Sequence, residues 1–534
     1  MALIGNNGSG KTSLCKLLTG LIPHFFEGDL TGTVEVAGLQ IQETRVAELA
    51  RHVGYVYQDF ENQLLKPRVL EDVSFAPLNF GMEDYRERAA ETLELLGLTH
   101  LQDRIIWELS GGEQHLVALA GALALEPEIV VVDEPISQLD PVNARTIYKK
   151  LAMLNDDLGK TVIVIEHQPD FIGDYCDSVA LLTRGHVAWK LPVREALTRI
   201  EELEQHDLFA PQVTRIAHGL ELEKATLEDD LEVASNAYPI QLEEAVDVFR
   251  PMVEARKDRD ATNQSDDPSM LDPPEAKTPV ITFRDVSHRY RMLDDSRKVV
   301  LEEINLNLFD GERIALVGAN GAGKSTLLKL IAGLEKPTEG DIHVLGQNTR
   351  DVSPERLADH VALIYQTPQQ MFIEDSIRRD VAYYLKARNV PDADERVAQV
   401  LEDFRLTELA ERDGRLLSGG QMRRASLAIG ACMRPKVMLL DEPTSSLDLS
   451  NRRQIVEMLG ALERWVKTVI IATHDMEMVA EWARRIIVLR QGQVIADAPP
   501  TTVFGDMDLV ERARIPPPQV IRLSNALDIH QVRL

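Results

Sequence analysis

Two glycine-rich stretches, each ending in lysine and hydroxyl residues, constrain this chain most. GNNGSGKTS runs from Gly5 to Ser13, and GANGAGKST from Gly318 to Thr326. Gly5-x-x-x-x-Gly10-Lys11-Thr12 and Gly318-x-x-x-x-Gly323-Lys324-Ser325 both have the phosphate-loop spacing. Glycines at those positions let consecutive backbone N–H groups turn toward phosphate oxygens, and the helix that follows adds its positive end. The candidate phosphate ligands are Gly5, Asn6, Asn7, Gly8, Ser9, Gly10, Lys11, Thr12 and Ser13 in one stretch. In the other they are Gly318, Ala319, Asn320, Gly321, Ala322, Gly323, Lys324, Ser325 and Thr326. Such a loop is normally fed by a buried strand, so two of them predict two α/β units.

The rest of the chain repeats in step with the loops. Lys11 matches Lys324, Gln58 matches Gln366, Ser110 matches Ser418, Asp133 matches Asp441 and His167 matches His474. The separations are 313, 308, 308, 308 and 307 residues, so the units differ mainly between the loop and the glutamine. There the first copy reads GLIPHFFEGDLTGTVEV and the second the shorter GLEKPTEGDIHV. APQVTRIAHGL from Ala210 is echoed by PPQVIRLSNAL from Pro517. Short apolar runs (IVVVDE, VIVIEH, VMLLDE, VIIATH) alternate with helical patterns such as GGEQHLVALAGALALEP. Runs without polar alternation suit strands buried on both faces, which predicts a mainly parallel sheet in each unit.

Composition narrows the partners. A net charge of −28 argues against a surface built to bind nucleic acid. Cys15, Cys176 and Cys432 are odd in number and far apart, which suits reduced core thiols in a cytosolic protein better than a disulfide framework or a zinc site. No apolar run approaches the length of a membrane span, so any membrane work needs spans from another chain.

The remaining motifs supply chemistry around the loops. Asp133 and Asp441 end apolar runs, where a carboxylate can hold Mg²⁺ together with the hydroxyls of Thr12 and Ser325. The next residues, Glu134 and Glu442, are placed to polarise a water for in-line phosphoryl transfer. LSGGE (Leu109 to Glu113) and LSGGQ (Leu417 to Gln421) each open a helix and form a second anion-binding N-terminus.

With the phosphate loops and the Asp-Glu-Pro runs, these LSGG motifs make the chain resemble the ABC ATPases over nearly all of both halves. The resemblance implies two P-loop NTPase domains of ABC type in tandem, each a mainly parallel sheet core with a helical signature subdomain. It implies ATP and Mg²⁺ as ligands. It also implies that Ser110, Gly111 and Gly112 close on the nucleotide at Lys324, and that Ser418, Gly419 and Gly420 close on the one at Lys11. Gln58 and Gln366 fit the family's Q-loop glutamine, which meets the metal and the water. His167 and His474 fit its switch histidine, Tyr290 its adenine-stacking aromatic, and SQLD (Ser137 to Asp140) and SSLD (Ser445 to Asp448) its D-loops.

Before its loop the first half has only MALI, with no counterpart of the segment that carries Tyr290. The expectation is that the true chain starts upstream of Met1; the alternative is a trimmed first domain that binds nucleotide weakly. The expected domains are 1–205 with an extension at 206–250, an acidic, proline-rich flexible linker at 251–279, and 280–505 with an extension at 506–534. After the signature the second copy has Met422-Arg423-Arg424, the basic wording usual in the family, and the first has Gln114-His115-Leu116.

GLIPHFFEG, QDFENQL, QTPQQMF and the PPPQVIRLSNAL tail are similar to the ATPases of energy-coupling-factor importers. That resemblance implies a peripheral ATPase on the cytoplasmic face of the membrane. Its partners are a transmembrane coupling subunit and a small substrate-binding membrane subunit, and its cargo a vitamin or metal ion. Acidic residues after the glutamines (Asp59, Glu61, Glu71, Asp72, Glu374, Asp375, Asp380) are candidates to receive basic coupling helices. Two alternatives stand beside it: a soluble tandem ABC ATPase acting on ribosomes, a class that tends to be basic with a long charged helical linker, and the ATPase of a sugar or peptide importer.

Overall fold

The computed structural model describes residues 1–136, 139–227, 238–260, 278–291, 297–445 and 449–529. The chain divides into two compact units, Met1–Pro251 and Met252–Leu534.

In the first unit the strands are β1 (Ala2–Ile4), β2 (Glu35–Val36), β3 (Leu39–Gln40), β4 (Val53–Val56), β5 (Ile129–Asp133), β6 (Thr161–Ile165), β7 (Ser178–Thr183) and β8 (His186–Pro192). Six of them form one sheet in the order β4-β5-β6-β1-β7-β8, parallel except for β8. Val130, Val131 and Val132 are buried, as a strand covered on both faces requires. β1 is short but lies inside the sheet, with Leu3 opposite Ile165 and Ala180. The Met1 amino group donates to the Val162 carbonyl at 2.9 Å.

The second unit has β9 (Pro279–Arg291), β10 (Arg297–Phe309), β11 (Arg313–Val317), β12 (Glu339–Val344), β13 (Gln347–Asn348), β14 (Val361–Ile364), β15 (Val437–Asp441), β16 (Thr468–Thr473), β17 (Arg485–Arg490) and β18 (Gln493–Ala498). Its main sheet, β14-β15-β16-β11-β17-β18, repeats the first one strand for strand. A second, antiparallel sheet has the order β10-β9-β12-β13. Among the described residues, the first unit has only the β2–β3 pair in that place.

Beside each main sheet stand the signature helices. They are Gly111–Leu123 with Tyr85–Leu96 in one unit, and Gly419–Cys432 with Ile377–Ala387 and Ala393–Asp403 in the other. Both units are thus α/β units with a mainly parallel sheet, as the repeat predicts. All three cysteines are free and buried. No helix among the described residues is long and apolar enough to cross a membrane.

The stretch expected to be a linker needs one correction. A helix, Leu242–Asp260, continues through Pro251, so residues 251–260 are helical. Their Glu, Ala, Arg and Lys side chains are good helix formers, and this outweighs one interior proline. Most of the remaining linker, residues 261–277, lies outside the described residues.

Candidate functional site

In both units the central strand runs straight into the phosphate loop. Gly5 and Gly318 leave it at φ +147° and +151°, and a Cβ on either would stand 2.2 Å from a carbonyl oxygen of β7 or β17. No other residue type fits there. Lys11 Nζ donates to the Gly5 and Asn6 carbonyls at 2.7 and 3.0 Å. Lys324 does the same to Gly318 and Ala319 at 2.8 and 3.3 Å. Both lysines are buried, so each ammonium is held over its own loop. The buried Ser9 hydroxyl in the first loop has no partner among the described residues. A cradle of N–H groups, a fixed ammonium and an unpartnered hydroxyl fits polyphosphate.

At the ends of β5 and β15 lie Asp133 and Asp441. Ser325 Oγ donates to Asp441 Oδ1 at 3.0 Å, and Thr12 makes the matching bond to Asp133. Burial pushes both carboxyls up, and these hydroxyl bonds oppose it. A buried carboxylate beside a hydroxyl is a hard-oxygen pair of the kind Mg²⁺ takes. Asp133 also accepts from Tyr55 Oη at 3.1 Å.

The glutamates that follow are strained alike. Glu134 and Glu442 have φ of 50° and 47°, in the left-handed region that costs an ordinary residue roughly 1–2 kcal/mol. Each is pinned through its N–H to the neighbouring strand, at Ile165 and at Ala472. Such strain, kept in both copies, aims the carboxylate along the strand ends.

What surrounds the two carboxylates differs. Glu134 takes Gln58 Nε2 on one oxygen at 2.6 Å and meets His167 Nε2 at 3.2 Å with the other. Glu442 meets His474 Nδ1 at 2.9 Å and lies 3.8 Å from Lys324 Nζ, while Gln366 is exposed. Burial alone would raise the Glu442 carboxyl, but His474 and Lys324 outweigh it and hold it below the usual range. Burial would likewise lower His474, yet Glu442 lifts it. In the second unit each member of this pair thus favours the charged form of the other.

Ser110 and Ser418 cap their helices with capping boxes closed by Glu113 and Gln421. Gly111, Gly112, Gly419 and Gly420 form the first turns of those helices. Tyr290 on β9 stands beside the loop helix: its hydroxyl donates to Glu335 at 2.6 Å and lies 3.3 Å from the Thr326 hydroxyl. Of the two D-loop tetrapeptides, Ser137, Gln138 and Ser446 to Asp448 lie outside the described residues.

Two of the acids expected to face a partner turn inward instead. Asp72 accepts from the Leu65 and Lys66 N–H groups, both at 2.7 Å, and Asp380 from those of Ile373 and Glu374, both at 2.8 Å. Both are buried, because each loop after the glutamine leaves backbone donors that need an internal acceptor.

The sequence shows that Met422-Arg423-Arg424 and Gln114-His115-Leu116 differ, but not what their side chains touch. Arg423 donates to the Tyr365 carbonyl at 3.1 Å and to Ser445 Oγ at 3.3 Å, tying the signature helix to both site loops. His115, at the same place in the first unit, is buried against Phe60 with no partner for either ring nitrogen among the described residues. Tyr55, three residues before Gln58 in an apolar run, gave no signal of its polar role.

The model of the family described as "ABC transporter" matches residues 1–137 and 301–445. A model for an AAA domain matches 421–480. A Methanosarcina mazei protein described as "Putative ABC transporter ATP-binding protein" is 33% identical over 539 residues, covering 99% of this chain and 88% of the relative. One from Caldanaerobacter subterraneus subsp. tengcongensis, with the same description, is 30% identical over 535 residues, covering 99% and 90%. The solved structure of cbiO1 from Clostridium perfringens, described as part of the ABC transporter complex cbiONQ, is 28% identical with a TM-score of 0.40, covering 46% of this chain and 98% of that one. Two family-model matches, one on each phosphate loop, and relatives aligned over 99% of this chain lead to one conclusion: the chain belongs to the ABC transporter family, as a tandem ABC ATPase.

Proposed function

We propose that this chain is the energising subunit of an importer of energy-coupling-factor type. It binds and hydrolyses ATP at the cytoplasmic face of the membrane and drives uptake of a vitamin or metal ion through a separate transmembrane subunit. A small membrane subunit binds the solute.

The observation that carries the reading is a surface found in both units. After each glutamine loop and just before each signature, one large apolar side chain stands exposed. They are Leu65 (61%) and Trp107 (65%) in the first unit, and Ile373 (57%) and Leu416 (84%) in the second. The two segments are neighbours: the Ile106 N–H donates to the Pro67 carbonyl at 2.9 Å, and Arg415 donates to the Glu374 carbonyl at 3.3 Å. A repeated apolar pair beside the hydrolytic loops suits a partner that must feel the state of the nucleotide. Exposed Glu61 and Glu71 edge the first of these segments and suit a basic helix, while Asp375 in the second unit is paired with Arg379 at 2.7 Å. The energy-coupling-factor assignment itself rests on GLIPHFFEG, QDFENQL, QTPQQMF and the PPPQVIRLSNAL tail.

In this reading Lys11 and Lys324 hold the β- and γ-phosphates. Thr12 with Asp133, and Ser325 with Asp441, hold Mg²⁺, which neutralises phosphate charge when bound. Glu134 and Glu442 polarise the attacking water, with Gln58 and Gln366 beside it, and His167 and His474 meet the γ-phosphate. Tyr290 stacks on adenine. The signature serines and glycines of each unit complete the phosphate contacts of the other, so ATP draws the units together and hydrolysis releases them.

The test is a tagged pull-down from mildly solubilised native membranes, with partners identified by mass spectrometry. A polytopic protein with a small hydrophobic companion is the expected result. Ribosomes, or no membrane protein at all, would sink the importer reading.

A further inference from the structure

The loop that presents the histidine is tied down in both units, but with wholly different residues. In the second unit Asp475 follows His474 and caps the helix Met476–Trp482, accepting from the Met478 N–H at 3.0 Å. Its other oxygen accepts from Thr444 Oγ1 at 3.0 Å and from Arg452 Nε at 2.6 Å. Arg452 belongs to the helix Leu449–Leu462, so an ion pair joins that helix to the histidine loop.

In the first unit Gln168, Ile136 and Ala144 occupy the places of Asp475, Thr444 and Arg452. The carboxylate comes instead from Glu166, where the second unit has Thr473. Glu166 Oε1 accepts from the N–H groups of His167 at 2.7 Å and Gln168 at 2.8 Å. Its Oε2 accepts from Tyr148 Oη at 2.6 Å. Tyr148 comes from the helix Pro141–Asp156, the counterpart of the one that carries Arg452, and stands where the second unit has Val456. Its ring stacks at 4.9 Å on Phe171 and 5.2 Å on Tyr175, from the helix after the histidine. Glu166 is 3% exposed and Tyr148 1%. Burial pushes both groups up, so this tie is a hydrogen bond to a neutral hydroxyl where the other is an ion pair.

All the polar partners have been exchanged, yet the connection between the same two elements persists. From this we infer that Glu166 and Tyr148 are a positioning pair that sets His167 against Glu134, as Asp475 and Arg452 set His474 against Glu442. The carboxylate fixes the His167 peptide through its N–H, and the tyrosine fixes the carboxylate. The ring, 3.2 Å from Glu134, follows the peptide. The inference rests on the proposed role of His167 in ATP turnover.

The experiment measures kcat, KM and thermal midpoint on the full chain. The variants are Tyr148→Phe, Glu166→Gln, His167→Ala and Tyr148→Phe with His167→Ala. The first two should lower the part of kcat that His167→Ala removes by about 3- to 10-fold, the effect of an imidazole loosened and not lost, with KM unchanged within about twofold. Tyr148→Phe should cost nothing further once His167 is gone, because a positioning residue acts only through what it positions. An equal fractional loss with and without His167 would mean a merely structural role and overturn the pair. So would unchanged kcat in folded Tyr148→Phe and Glu166→Gln while His167→Ala is impaired. A silent His167→Ala would instead overturn the underlying reading of the site, and the pair with it.

Discussion

The two units carry the same groups at the same strand ends and hold them by different chemistry. In the first, Glu134 shares its oxygens between an amide and an imidazole. In the second, Glu442 is pressed between an imidazole and an ammonium. The backbone beneath them is the same down to the left-handed φ of both glutamates. The sheet therefore determines where the reacting groups stand, while which of the motif side chains reach each glutamate sets its electrostatic surroundings. Two sites of one ancestry can thus drift apart in activity without losing a motif residue.

The largest effect should come from the glutamates. Replacing a general base typically costs about 10²–10⁴ in rate. Glu442→Gln and Glu134→Gln are each expected to cut the steady-state ATPase, and nucleotide-dependent closure should survive in both. Measured side by side, the two numbers show how turnover divides between the units. If Glu134→Gln leaves turnover untouched, the first site binds without hydrolysing, and the amide on its glutamate marks an idle site.

Next come the lysines. Lys11 and Lys324 make nearly the same carbonyl contacts, so Lys11→Ala and Lys324→Ala should weaken ATP by similar amounts. Charge-assisted contacts of about 1.5–3 kcal/mol give roughly a 10- to 100-fold loss by equilibrium titration. A markedly smaller loss at Lys11 would mean that the first loop contributes less than its geometry suggests.

Smaller again is a tie that, among the described residues, stands in the second unit alone. Arg423→Met keeps the stem volume but leaves the Tyr365 carbonyl and the Ser445 hydroxyl short of a donor, for about 1–3 kcal/mol of stability. Denaturant unfolding should report that loss, and an unchanged midpoint would mean water replaces the guanidinium.

These contrasts also show what the amino-acid sequence makes legible. The places of Lys11, Ser110, Asp133 and His167 at strand and helix ends could be read directly, because the motifs recur in fixed order between apolar runs and helical patterns. Asp72 and Asp380 could not. An acid in the first turn of a helix looks solvated until the preceding loop folds back and its N–H groups need an acceptor. Tyr55 and Tyr148 sit in runs that read as core, and they are core; only the tertiary partner shows that the hydroxyl matters. The exchange of Asp475 for Glu166 moves a carboxylate by two places in the alignment of the repeats, so matching position to position hides it.

The least of these effects is the most pH-dependent. His115 occupies the place of Arg423, and burial lowers it from 6.5 to about 4. Above about pH 6.5 it is neutral whether folded or not, and it contributes no pH dependence. As pH falls from 6.5 toward 4 the unfolded chain takes up a proton that the native unit refuses, so native stability declines across that window. The decline is on the order of 2 kcal/mol by pH 5. His115→Leu removes the titrating group and an unpartnered buried polar ring, so near pH 7 it should be close to neutral. The gap between variant and wild type should then open in favour of leucine on acidification, in thermal midpoints taken from pH 7.5 to 5. Because both proteins share every other titrating group, the difference isolates His115 from the general easing of a −28 net charge in acid. A gap that stays constant with pH would mean that the imidazole finds a proton acceptor in the native unit. The first signature helix would then be tied to its surroundings as the second is by Arg423, through a different atom.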